Sequence, residues 1–184
     1  MHKMALAVVL ALGAIGAQGA QAQSMSLQSE EVSDGASIKD EQVANVFGCK
    51  GGNKSPSLSW SDAPSDAKSF AITVYDPDAP TGSGFWHWIV FNIPAATRAI
   101  PKNAGNVKAK LMPKSAIQSR TDFGTDGYGG PCPPQGDHPH RYLFTVFAVG
   151  AGLSVKADTS AAVIGFQLNF NTLARAAIMG LYKR

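Results

Sequence analysis

The chain has 184 residues, 45% of them apolar and 16% charged, with a formal net charge of +3 at pH 7. This composition fits one globular domain with a sizeable core and excludes a compositionally disordered chain. Lysines and arginines are scattered rather than gathered in a basic run, which excludes nucleic acid as the main partner.

The first residues, "MHKMALAVVLALGAIGAQGAQAQ", set a lysine before an apolar stretch from Met4 to about Ile15 and close on the A-x-A site Ala20-Gln21-Ala22. Residues 1–22 read as a cleaved secretory signal and residues 23–184 as a single folded domain. The apolar run is shorter than the roughly 20 residues a transmembrane helix needs, and no later segment is long enough either. Cys49 and Cys132 are the two cysteines. In an exported chain a disulfide between them is the leading reading, with two unpaired thiols as the alternative.

From Ser24 to Asp40 the residues are polar and loosely alternating, as in an edge strand with turns. A Gly51-Gly52-Asn53 turn and Pro56 then lead into a short strand carrying Leu58 and Trp60. "SFAITVYD" (69–76), "HWIVFNI" (87–93) and "RYLFTVFAV" (141–149) are rich in β-branched and aromatic residues and read as central strands. No helical pattern of ten or more residues lies between them, so an antiparallel, mainly β core is expected rather than βαβ units. "ADTSAAVIGFQLNFNTLA" reads as one late helix. Asp158, Thr159 or Ser160 would cap it, and Val163, Phe166, Gln167 and Phe170 would share one face. The following "RAAIMGLYKR" fits either a helix extension or a closing strand.

Two loops carry the chemistry. In "YDPDAPTGSGFWHWIV" a strand ends at Asp76 and returns with His87 between Trp86 and Trp88. Strict alternation turns His87 away from both tryptophans and onto the face of Ile89. A buried imidazole requires a partner, and Asp76 is the nearest candidate. The plainer reading makes Asp76 a turn cap and His87 a satisfied core histidine. In "GGPCPPQGDHPHRY" (129–142) prolines and glycines shape a rim, and His140 and Tyr142 leave it on one strand face. With His87 they would line one cavity. Two imidazoles and a phenol beside the amides of a glycine loop suit a small anion such as phosphate or carboxylate.

The ordered motifs "DPDAP", "HWIVFNIP" and "GPCPPQGDHPHRYLFTVFAV" resemble the phosphatidylethanolamine-binding protein family, the Raf kinase inhibitor-like proteins, in its bacterial branch. The resemblance runs from about Ser26 to Tyr182. It implies a large antiparallel sheet packed with a smaller one, few short helices, and an anion pocket at one end built from Asp76, His87, His140 and Tyr142. The neighbouring Asp78, Trp86, Gly130 and Pro131 join the candidate ligand contacts. The expected ligand is a small anion or phospholipid headgroup, and the expected location is periplasmic or secreted. Inhibition of a eukaryotic kinase does not transfer, because sites rather than folds license functional claims.

A protein-binding or protease-inhibitory role through the pocket rim is the rival, and a homodimer is left open. An enzyme is not expected: Ser83 lies in no G-x-S-x-G elbow, and Cys132 is assigned to the disulfide. No metal or other cofactor is called for either. A site drawn from Asp76, His87, His138 and His140 matches no recognised zincin spacing. The "DFG" at Asp122 reads as a turn.

Overall fold

A computed structural model describes residues 24–184, so the expected secretory signal and the first residue of the expected domain lie outside the described residues. In chain order the elements are β1 (Ser26–Gln28), β2 (Leu58–Ser61), β3 (Ser69–Asp76), β4 (Phe85–Pro94), β5 (Ala99–Ile100), β6 (Ile117–Gln118), β7 (His140–Val149), α1 (Ala161–Asn171) and β8 (Thr172–Tyr182). They form an antiparallel sheet of order β6-β4-β3-β7-β8 and a smaller one of order β1-β2-β5. The mainly β architecture with one short α-helix is therefore as expected. β1 is an edge strand, and "RAAIMGLYKR" resolves as part of β8.

The large sheet is covered on both faces. Alternation along β3 and β7 sends Phe70, Ile72, Val74, Tyr142, Phe144 and Val146 to one side, where they meet Leu27, Leu58, Trp60 and Ile100 of the smaller sheet. Phe144 is fully buried; truncating such a side chain to alanine costs about 3–5 kcal/mol. Ala71, Ile89, Phe91 and Val149 point the other way, against α1 and Leu153.

The helix sits where the sequence places it but turns a different stripe inward. Ala161, Ile164 and Leu168, spaced i, i+3, i+7, are its buried residues, whereas Val163, Phe166 and Phe170 are exposed. Burial follows the aliphatic stripe facing Ala71, Ile89 and Phe91, and the aromatic face expected from the sequence stands in solvent. Ser160 occupies the N-cap position without a side-chain cap bond.

Candidate functional site

The end of β3, the starts of β4 and β7 and the end of β8 meet at one edge of the large sheet. A bulge decides what gathers there. Val74 pairs with Trp88 but Tyr75 pairs with Trp86, so His87 is the extra residue on β4. The bulge breaks the alternation expected of this strand. Trp88 joins the core shared with the smaller sheet, Trp86 and Ile89 go to the helix side, and the His87 ring meets Tyr142 edge-on at 5.1 Å. His87 therefore shares a face with Tyr142 and not with Ile89.

Asp76, His87, His140 and Tyr142 come together as the sequence proposed, with different pairings. Asp76 is 2% exposed and its partner is His140: Nδ1 donates to Asp76 Oδ2 at 2.7 Å. The other carboxylate oxygen accepts from the Asp78 amide at 2.9 Å, so Asp76 caps its turn as well. His87 instead donates from Nδ1 to the Gly129 carbonyl at 2.8 Å, which leaves Nε2 without a hydrogen bond among the described residues. The Tyr142 hydroxyl is buried beside Asp76 and makes no well-aligned hydrogen bond among the described residues.

These environments drive the two imidazoles apart. Burial holds His87 below the ordinary histidine value, only partly opposed by the Gly129 carbonyl and the charge of Asp76. Burial also acts against charging His140, but hydrogen bonds to Asp76 and Asp137 outweigh it and hold that group above the ordinary value. Burial, with the negative charge of Asp76 beside it, keeps the Tyr142 phenol protonated far above neutral pH.

The four side chains line a cavity of about 140 Å³, smaller than the pockets that enclose drug-sized molecules. Its walls are largely apolar. Phe123 packs on His87 with centroids 5.3 Å apart and on Phe85 at 4.9 Å, and stacks with Phe47 at 5.9 Å. Phe47, Phe85, Phe123 and Thr81 are lining residues that sequence reasoning missed. One signal was available in the "DFG" stretch. It is indeed a turn, yet Asp122 Oδ2 accepts from the Trp86 amide at 2.8 Å and so fixes Phe123 beside the bulge.

The four added candidates lie outside the lining. Asp78 is held by Arg141 through Nε and Nη2, at 2.9 and 2.7 Å, which lowers its carboxyl to about 2. Trp86 packs on Tyr75, with centroids 4.6 Å apart. Gly130 is a glycine for steric reasons: a Cβ there would stand 2.1 Å from the Gln42 carbonyl oxygen. The Pro131 carbonyl accepts from the Ala44 amide at 3.1 Å. The loop amides expected as anion donors are also engaged, Gly129 with the His87 carbonyl and Gly130 with Asn53 Oδ1, both at 2.8 Å. The disulfide between Cys49 and Cys132 is formed, with Cα atoms 6.0 Å apart, and Cys132 with Pro133 and Pro134 makes one wall.

The site thus sets a buried Asp-His pair, a second histidine and a tyrosine around a small cavity at one end of a two-sheet fold. The sequence matches the phosphatidylethanolamine-binding protein family over residues 28–183, and the chain belongs to that family. It is 48% identical over 165 residues to UPF0098 protein YbcL of Escherichia coli, covering 89% of this chain and 90% of the relative. To YbhB of the same organism it is 45% identical over 159 residues, covering 86% and 99%. The crystal structure of E. coli YbcL superposes with a TM-score of 0.86 at 47% identity, covering 88% of this chain and 99% of that one. A Chlamydia trachomatis homologue follows at 0.73 and 31%, covering 88% and 98%.

Proposed function

We propose that the protein is an exported binding protein that takes a phosphate-containing headgroup, or a similar small anion, in the Asp76–His87–His140–Tyr142 pocket. The observation that carries this reading is the Tyr142 hydroxyl, buried beside Asp76 with no well-aligned hydrogen bond among the described residues, at the wall of a cavity of about 140 Å³. Buried polar groups are almost always satisfied, so an orphan polar atom beside a pocket supports a ligand there. His140, whose charged form Asp76 and Asp137 favour, offsets when protonated the carboxylate charge that would otherwise repel an anion. His87, with Nδ1 committed to Gly129, offers Nε2 as an acceptor, which suits the hydroxyl of a singly protonated phosphate monoester. The apolar phenylalanine walls exclude water and strengthen each of these bonds.

Calorimetric titration of phosphoethanolamine into the full chain, with EDTA present, tests the reading. His140→Ala removes the charge partner of the pocket and is expected to weaken binding ten- to a hundred-fold, about 1.5–3 kcal/mol. Arg175→Ala, on the exposed side of β8, is expected to leave it unchanged. Equal affinity in all three proteins would contradict the proposal. It would favour the second reading, a protein-binding or protease-inhibitory module, for which Phe47, 69% exposed at the pocket rim, is the supporting feature.

A further inference from the structure

Beside the pocket, "DHPH" places three metal-ligating side chains together. One oxygen or nitrogen from each of Asp137, His138 and His140 lies within 4.8 Å of the others. The sequence suggested Asp76 and His87 as partners of these histidines, but Asp76 is spent on His140 Nδ1 and the Asp78 amide, and His87 Nδ1 on Gly129. Asp137 replaces them.

We infer that Asp137, His138 and His140 form a binding site for one late first-row divalent cation of the zinc class, at the edge of the anion pocket. Three observations carry this. First, both histidines turn Nε2 toward Asp137 for the same reason, and the proton that His140 Nε2 shares with Asp137 is released to solvent when an ion binds. A carbonyl can only accept, so His138 Nδ1, 3.1 Å from the Pro139 carbonyl, carries the proton and leaves its Nε2 lone pair free. The Asp76 carboxylate fixes His140 in the same sense at 2.7 Å. Metal-bound histidines are oriented in this way, by a carbonyl or carboxylate on the nitrogen that faces away from the ion.

Second, the spacing suits a shared ion. His140 Nε2 stands 3.3 Å from Asp137 Oδ2, and His138 Nε2 stands 3.9 Å from Asp137 Oδ1. Two ligands at roughly 2.0–2.2 Å from one tetrahedral ion lie roughly 3.3–3.6 Å apart. His138 is 62% exposed at its side chain and free to close the remainder, while Pro139 restrains the backbone between the imidazoles. Third, the lining of the adjacent cavity includes no lysine or arginine, so an ion on His140 would bring a fixed positive charge to a pocket that otherwise relies on histidine. Two nitrogens and one oxygen select zinc-class ions over magnesium or calcium, which prefer all-oxygen shells.

Only the third observation draws on the anion reading, and the site is tested without phosphate. Tag-free full chain, stripped with EDTA and dialysed, is titrated with zinc chloride and separately with magnesium chloride. The expected result is one equivalent of zinc and no heat from magnesium. Asp137→Asn and His138→Ala are each expected to weaken zinc at least roughly tenfold, while Asp158→Asn, at an exposed carboxylate just before α1, leaves it unchanged. Circular dichroism checks that the variants fold, and wild-type protein loaded with cobalt gives a readout independent of them: intense visible bands from a four- or five-coordinate ion. No zinc uptake, unchanged affinity in Asp137→Asn and His138→Ala, or the weak spectrum of hydrated cobalt would each overturn the site.

Discussion

The β4 side and the β7 side of the pocket each contribute one histidine, and the two are tuned in opposite directions. On β4 a bulge turns His87 inward against Phe85, Phe123 and Tyr142 and gives its Nδ1 a neutral carbonyl. On β7 regular alternation delivers His140 to two carboxylates, 2.7 and 3.3 Å away. Burial opposes charge on both, so the partner's charge decides the outcome: His87 is shifted toward the neutral form and His140 toward the charged one. Residue type alone did not assign these roles.

The largest change expected in this comparison comes from cutting the strap on the β7 side. The Cys49–Cys132 disulfide spans 83 residues, and closing such a loop contributes on the order of 4 kcal/mol by chain entropy. Cys49→Ser with Cys132→Ser is expected to lose stability on that scale in urea unfolding. A loss below about 1 kcal/mol would show that the pocket loop is held by its packing instead.

Exchanging the partner on β7 comes next. Asp76→Asn removes the charge that holds His140 cationic, so the NMR titration of the His140 ring is expected to move down toward that of His87. If it stays above the ordinary histidine range, Asp137 alone sustains the charge.

Stability against pH follows from the same opposition. His140 titrates higher in the folded chain than in the unfolded one, so its contribution is complete below the unfolded value near 6.5 and is lost as the pH rises through the folded value. His87 titrates lower when folded, so its neutral burial begins to cost stability as the pH falls below about 6.5. Urea unfolding across pH is expected to show both limbs, with Asp76→Asn flattening the alkaline one.

A smaller effect on the fold, but a clear one on function, is expected at Tyr142. Its hydroxyl makes no well-aligned hydrogen bond among the described residues, so Tyr142→Phe should change stability by less than about 1 kcal/mol while weakening phosphoethanolamine roughly tenfold. At the low end, Arg141→Ala breaks a pair whose arginine is 52% exposed. Such pairs contribute about 1 kcal/mol or less, and binding should be unaffected because Asp78 is outside the pocket lining.

Much of this was legible in the sequence, for identifiable reasons. The three central strands announced themselves by β-branched and aromatic runs between Pro/Gly loops, and simple alternation placed His140 and Tyr142 on one face. The His87 bulge was not legible, because "FWHWIV" reads as unbroken alternation and the irregularity depends on pairing with Val74 and Tyr75. The Gly129 carbonyl is 42 residues from His87, beyond the reach of any local pattern. The helix misled through composition: Phe166 and Phe170 look like core residues, yet they pack on each other in solvent while Ile164 and Leu168 are buried.

The central claim, an anion pocket governed by His140 and Tyr142 without need of a metal, is tested most directly by calorimetric titration of phosphoethanolamine into the wild-type chain in EDTA at pH 6 and pH 8. At pH 6 His140 is charged and the phosphate monoester, whose second pKa is about 6, retains a proton for His87 Nε2 in a large share of molecules. At pH 8 that proton is gone and the His140 charge is diminished. Binding is therefore expected to be tighter at pH 6 by roughly tenfold or more, the scale of one charge-assisted hydrogen bond. Affinity that is equal at the two pH values, higher at pH 8, or absent until a metal is restored would contradict it.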